Sequence, residues 1–138
     1  MLTPYNHKHV VERLVQEVLN AGRVEVIDEL YTPQLAPRAR GWIEPFLSSF
    51  SDVEMQIVDL VAEADKVVGR FRCSGTHTGR WLGLAPTGRR FEGVDEVTFF
   101  GFREGRIAGA WSLEDTAERL RQLAPPLASG AARDRRPY

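Results

Sequence analysis

The chain has 138 residues, with 18 basic against 19 acidic side chains; a single domain of that length buries a full core without cross-links. So even a charge balance gives no electrostatic footprint for nucleic acid or an anionic membrane. A lone cysteine, Cys73, excludes an internal disulfide and points to a reducing, cytoplasmic setting, and the sequence holds neither a signal-peptide core nor a run approaching the roughly 18 apolar residues of a membrane span.

Residues 7–21 carry Val11, Leu14, Val15 and Val18 at i, i+3, i+4 and i+7, with Glu12, Arg13, Gln16 and Glu17 opposite. That periodicity predicts an amphipathic helix, capped by Asn6 and ended at Gly22 in a left-handed conformation. A short second helix is expected over 24–30, stopping before Pro33. A third is expected over 39–50, with Trp42, Phe46 and Phe50 in one row; Pro45 inside it predicts a kink or a late start. From Asp52 the period becomes two, with Val53, Met55 and Ile57 on one face, which predicts a half-buried strand to about Ala62. After a turn at 64–66, Val67, Gly69, Phe71, Cys73 and Gly75 share the inner face of a second strand. Residues 90–102 and 106–113 give a third and a fourth strand, and 115–123 a closing helix.

Helices followed by a meander of strands make an α+β pattern. A curved antiparallel sheet of about four to six strands wrapped on N-terminal helices forms a cone, whose open end is a natural pocket. The domain spans 1–123. Residues 124–138, rich in Pro, Ala and Arg, are expected to form a flexible tail. Between the second and third strands, Gly75–Arg90 carries Trp81, Leu82 and Leu84 in a loop. Apolar side chains in a loop suggest a lid or a partner patch, because loops normally face water.

Three ionisable residues are candidates for chemistry. Under unbroken alternation, Ile107, Gly109, Trp111, Leu113 and Asp115 share one face. An aspartate ending an apolar row is desolvated into the range useful for proton transfer. The spacing Asp115-Thr-Ala-Glu118 is equally that of a capping box; both roles hold if the cap lies beside the pocket. His77 continues the Phe71–Cys73–Gly75 face to the mouth of the cavity, either as a proton shuttle or as a turn histidine bonded to backbone. Asp95 shares its strand with Phe91, Gly93, Val97 and Phe99, on a face that a bulge would reverse. Trp42, Phe46, Phe50, Met55, Phe71, Trp81, Leu84, Phe99 and Trp111 serve as core or as pocket wall.

Other chemistries lack their residues. Cys73 has no base beside it in sequence, and His7 and His9 have no third ligand at useful spacing, so no metal is expected. Neither a phosphate-cradling glycine loop nor a serine elbow is present. Cofactor-free acid–base work, or binding, remains.

The layout resembles the SnoaL-like polyketide cyclase family of the NTF2-like (cystatin-like cone) superfamily. The resemblance is carried by Val11–Gly22, Val58–Glu63, Gly75-Thr-His-Thr-Gly79, Pro86-Thr-Gly88 and Gly105–Trp111 with Asp115. It implies a cofactor-independent enzyme in which an aspartate after the final strand, here Asp115, is acid and base in an intramolecular aldol closure. Relatives often carry a histidine and an acidic residue where this chain has Gly109 and Ala110. They often carry an Asp-His pair where it reads Gln34–Arg38, and an arginine where it has Gly101. Those departures imply a roomier, less polar pocket for an apolar substrate. The expectation is a cyclase or isomerase of a polyketide-like intermediate, with Asp115 and His77 catalytic and the aromatic residues lining the cavity. It would be a homodimer through the outer sheet face near Arg70 and Arg72. The alternative is a non-catalytic small-molecule binding protein of the same fold.

Overall fold

Four antiparallel strands in sequential order form one open sheet: β1 (Phe50–Glu63), β2 (Lys66–His77), β3 (Arg90–Arg103) and β4 (Arg106–Glu114). The computed structural model describes residues 4–124; the expected tail, beyond Ala124, lies outside the described residues. No helix among them is long and apolar enough to cross a membrane.

Helix α1 (Pro4–Arg13) runs on into a wider π-helical turn (Leu14–Asn20), and Gly22 ends it at φ +73°. Val11, Leu14, Val15 and Val18 are all buried, as their spacing predicts. Because the helix begins at Pro4, Asn6 lies inside it rather than at its cap. The Asn20 side chain bonds both backbone groups of Met55, at 2.7 and 3.1 Å, and so pins the π turn to β1. A single 3₁₀ turn leads into α2 (Ile27–Leu30). Tyr31 then pairs with Ile107, and the Thr32 N–H donates to Ile107 O at 2.9 Å. This segment covers part of the free edge of β4, which would otherwise be open to pairing with another chain.

Helix α3 (Ala36–Ser49) starts three residues earlier than its apolar row suggests, with Pro37 in its first turn, where no N–H is needed. It continues through Pro45. Ser49 Oγ sits within hydrogen-bond reach of Pro45 O at 2.9 Å and Arg80 O at 2.7 Å, tying the long loop to the helix end. Helix α4 (Thr116–Leu123) closes the chain and packs mainly against β3.

Irregularities in the ladders decide which side chains face inward. Cys73 pairs with Val94 but Gly75 with Phe91, so β3 holds an extra residue where Gly93 adopts φ +62°. Gly101 pairs with Gly109 but Phe102 with Ile107, so Ala108 is the extra residue in β4. Each bulge exchanges the two faces of its strand. Phe91 and Ile107 point inward as expected. Across the bulges the inner positions become Val94, Glu96, Thr98 and Phe100 on β3, and Ala110, Ser112 and Glu114 on β4. Unbroken alternation had placed Asp95, Phe99 and Trp111 inside. Instead Asp95 lies outside, 3.5 Å from Arg72 and 3.9 Å from Arg70. Phe99 and Trp111 are 48% and 58% exposed on the outer face, edge-to-face at 5.8 Å.

Candidate active site

Helices and sheet do not close on each other completely. Between them lies a cavity of about 350 Å³. Its helical wall is apolar, from Leu14, Val15 and Leu19 of the first helix and Trp42, Ile43 and Phe46 of α3. The sheet adds Met55, Phe71 and Phe100. All the polar groups except Tyr31 come from neighbouring rungs of β3 and β4. Glu96 is directly opposite Glu114, Thr98 opposite Ser112, and Phe100 opposite Ala110.

Like charges directly opposite across a ladder repel, and they do so more strongly next to apolar walls. Burial, reinforced by the Glu114 charge, pushes the Glu96 carboxyl up to about 7. The nearby Arg119 guanidinium and the Thr98 hydroxyl pull the other way, more weakly. Glu114 is tethered from below: Arg119 Nη1 donates to its Oε1 at 2.9 Å. The Thr98 and Ser112 hydroxyls share a hydrogen bond of 2.7 Å at the next rung. Tyr31, 3% exposed, brings a phenol whose ionisation burial pushes well above its usual range, so it stays a neutral donor. A half-buried carboxyl that titrates near neutrality, a second carboxyl beside it and hydroxyl donors in an apolar chamber are equipment for moving protons on a carbonyl compound. Among the described residues no group of three His, Cys, Asp or Glu is placed to hold a metal ion.

The sequence model described as SnoaL-like polyketide cyclase matches residues 9–123. The chain belongs to this family. Among its relatives is the aklanonic acid methyl ester cyclase AcmA of Streptomyces galilaeus, 29% identical over 117 residues that cover 85% of this chain and 78% of that protein. The enzyme of the same description, DauD, from Streptomyces sp. (strain C5), is 26% identical and covers 85% and 71% respectively. The structure of TsrD from Streptomyces laurentii superimposes with a TM-score of 0.82 at 27% identity, over 89% of this chain and 98% of that one. The SnoaL-like fold, helices on an open antiparallel sheet, is therefore the architecture expected from the strand pattern.

Within this SnoaL-like frame the residues singled out from sequence separate into two groups. Trp42, Phe46, Met55 and Phe71 line the cavity. Phe50, Trp81 and His77 instead form an aromatic cluster beside it, with Phe50 5.5 Å from the His77 ring and 5.4 Å from Trp81. His77 is fully buried there; its Nδ1 lies 3.1 Å from Thr87 Oγ1 and accepts from the Thr87 N–H at 3.2 Å. The loop strand folds over this cluster through a tight turn, Trp81 pairing with Leu84. Leu84 and Leu82 stay exposed, so the loop covers His77 rather than the cavity. Asp115 caps α4, its Oδ1 accepting from the Glu118 N–H at 3.0 Å, and its exposed side chain is not part of the lining. Asp95, Phe99 and Trp111 are excluded by the bulges.

The site residues that sequence reasoning passed over are Glu96, Glu114, Thr98, Ser112, Tyr31 and Arg119. Period-two reading assigns Glu96 and Glu114 to the solvent face, the opposite of the face they take. A signal existed for Arg119: it lies four residues before Leu123, on the same face of a helix whose start Asp115 defines. Ala110 faces the cavity and Gly109 does not, and two carboxyl groups, Glu96 and Glu114, stand in the lining.

Proposed function

We propose that this chain is a cofactor-independent cyclase or isomerase of an apolar, polyketide-like carbonyl compound, with Glu96 as its acid and base. The single observation that carries the reading is the Glu96–Glu114 pair set opposite one another in the wall of an otherwise apolar cavity. Ionised Glu96 takes the proton from a carbon between two carbonyls. The enolate carbon bonds to a second carbonyl carbon of the same molecule, whose oxygen becomes an alkoxide. Glu96 returns the proton to that oxygen, so one C–H and one C=O π bond are exchanged for one C–C and one O–H, and the product is an isomer of the substrate. Tyr31 and the Thr98–Ser112 pair supply hydrogen bonds to oxygens that gain charge, and the aromatic wall folds the chain so that its reacting carbons meet. This reading assigns proton transfer to Glu96 rather than to Asp115, whose carboxylate is committed to the helix cap, or to His77, which is sealed from the cavity.

The reading places the enzyme in the cytoplasm as a homodimer joined through the outer sheet face. In support, Val61, Val68, Phe99 and Trp111 form one apolar row across all four strands, with Leu113 beside it. The mixed charges Arg70, Arg72 and Asp95 at its border suit pairing with a second copy about a two-fold axis.

Aklanonic acid methyl ester, named for the relatives, is the first compound to assay. Chromatography with mass detection is expected to show a product of unchanged mass and altered retention. Glu96→Gln should cut the rate by about 10²–10⁴-fold. Asp115→Asn, which caps a helix equally well, should change it by less than about twofold. If a bound polyketide is recovered unaltered by the parent protein, the chain is a binding protein instead.

A further inference from the structure

Arg119 is the largest fully buried side chain among the described residues, yet most of its donors are unanswered. Nη1 reaches Glu114, while Nε and Nη2 have no oxygen or nitrogen acceptor among the described residues, only the weakly accepting Cys73 thiol beside the guanidinium. Around the guanidinium stand four aromatic rings, with centroids at 4.7 Å for Phe91, 5.5 Å for Trp81, 5.6 Å for Phe46 and 5.8 Å for Phe50. Ring faces attract a cation without accepting its charge. A cation in such a box has one direction in which its charge is neutralised, toward Glu114. Arg119 is fully buried while Glu114 is partly open to solvent, so loss of the pair would leave the buried guanidinium charge uncompensated.

We infer that Arg119 is a positioning residue that divides the labour of the carboxyl pair: by holding Glu114 in an ion pair, it leaves Glu96 as the group free to exchange the proton. The inference rests on the proposed acid–base role of this cavity and names what makes its two glutamates unequal. Glu114 Oε1 accepts from Arg119 Nη1 at 2.9 Å and from the Thr116 hydroxyl at 3.4 Å. Glu96 has no ion pair of its own within 4.0 Å among the described residues, and its neighbours on β2 and β4 are Phe71 and Glu114.

The groups around Glu96 are few enough to name. From β4 comes Glu114, and from α4 comes Arg119. From β2 comes the Cys73 thiol, itself pushed up to about 12 mainly by burial. Thr98, Ser112 and Tyr31 are neutral, and the first helix and α3 contribute only apolar side chains to the lining. Two charges therefore act on Glu96 with opposite signs. The Glu114 carboxylate raises its proton affinity, and Arg119 lowers it while holding that carboxylate in place.

The test is a ¹³C titration of protein labelled at the glutamate side-chain carboxyl carbons, with the two signals assigned by their loss in Glu96→Gln and Glu114→Gln. In the parent, one of the two signals, Glu96, should move near neutrality. Glu114→Gln keeps the acceptor for Arg119 but removes the charge, and should lower the Glu96 midpoint by about one unit or more. Arg119→Met fills the same space without charge and should spread the titration over both signals and raise it, as in a shared-proton pair. Arg119→Lys keeps the charge and should restore a single titrating glutamate, which a merely structural role would not require. The inference is overturned if Glu114 is the one that titrates near neutrality, or if neither the Glu114 nor the Arg119 variants move the Glu96 midpoint. Activity is judged separately: a Glu96→Gln protein that still turns over substrate removes the catalytic reading, while the titration still decides how the pair is divided.

Discussion

A carboxyl held near 7 has a cost in folding that can be read in the test tube. The unfolded chain gives up this proton near 4.5, whereas the folded chain keeps it to about 7. Between those values the native state binds more protons than the unfolded state, so stability contributed by protonated Glu96 is complete below the lower value and lost as pH rises through the upper one. Glu96→Gln removes that dependence, because an amide stays neutral. Thermal melts should therefore show the variant more stable than the parent at pH 8, with the difference shrinking as pH falls toward 5. An equal difference at both pH values would mean that Glu96 titrates normally and that the cavity does not disfavour its charge. Asp115 has a different character at this scale: it is a capping residue that fixes where α4 begins, and through that start it determines that Arg119 faces the sheet.

At the scale of elements, most of the fold is legible in the sequence. The apolar spacing of the first helix, the alternation in β2 and in β1 from Val53 to Ile57, and the order of helices before strands appear in the structure where the pattern puts them, whereas β1 shifts register beyond Ile57. The site is legible only in part, for a reason with a physical location. Trp42, Phe46, Met55 and Phe71 come from elements whose periodicity is followed as far as the cavity. Glu96, Ser112 and Glu114 lie downstream of the bulges at Gly93 and Ala108, where one added residue turns every later side chain to the other face. Only the Gly93 bulge has a local signature, since a residue at φ +62° favours glycine. The Ala108 bulge has none. If the left-handed conformation at Gly93 holds the bulge, Gly93→Val should cost roughly 1–2 kcal/mol in urea unfolding. No Cβ clash accompanies that change, because nothing lies within 4 Å of the added atom. A neutral effect would show that β3 reaches its inward register without that conformation.

For the whole molecule, the two faces of the sheet carry separate tasks, and the bulges assign them. The inner face of β3 and β4 presents Glu96, Thr98, Ser112 and Glu114 to the cavity, while the outer face presents Val97, Phe99, Trp111 and Leu113. Trp111 at 58% and Leu113 at 62% exposure are large apolar surfaces left in water. Scattered singly they would need no explanation, but aligned with Phe99 and Val61 they make a continuous patch of the kind that marks an interface. A self-complementary, isologous contact would bury it twice over in a dimer. Trp111→Lys places a cation at the β4 end of that row, beside Phe99, and leaves the cavity lining untouched. Sedimentation should then show a dimer for the parent and a monomer for the variant, and the variant should melt at a temperature that no longer depends on protein concentration. A parent protein that sediments as a monomer at every concentration would remove the dimer. The outer patch would then need another partner, while the chemistry proposed for the inner face would stand unaffected.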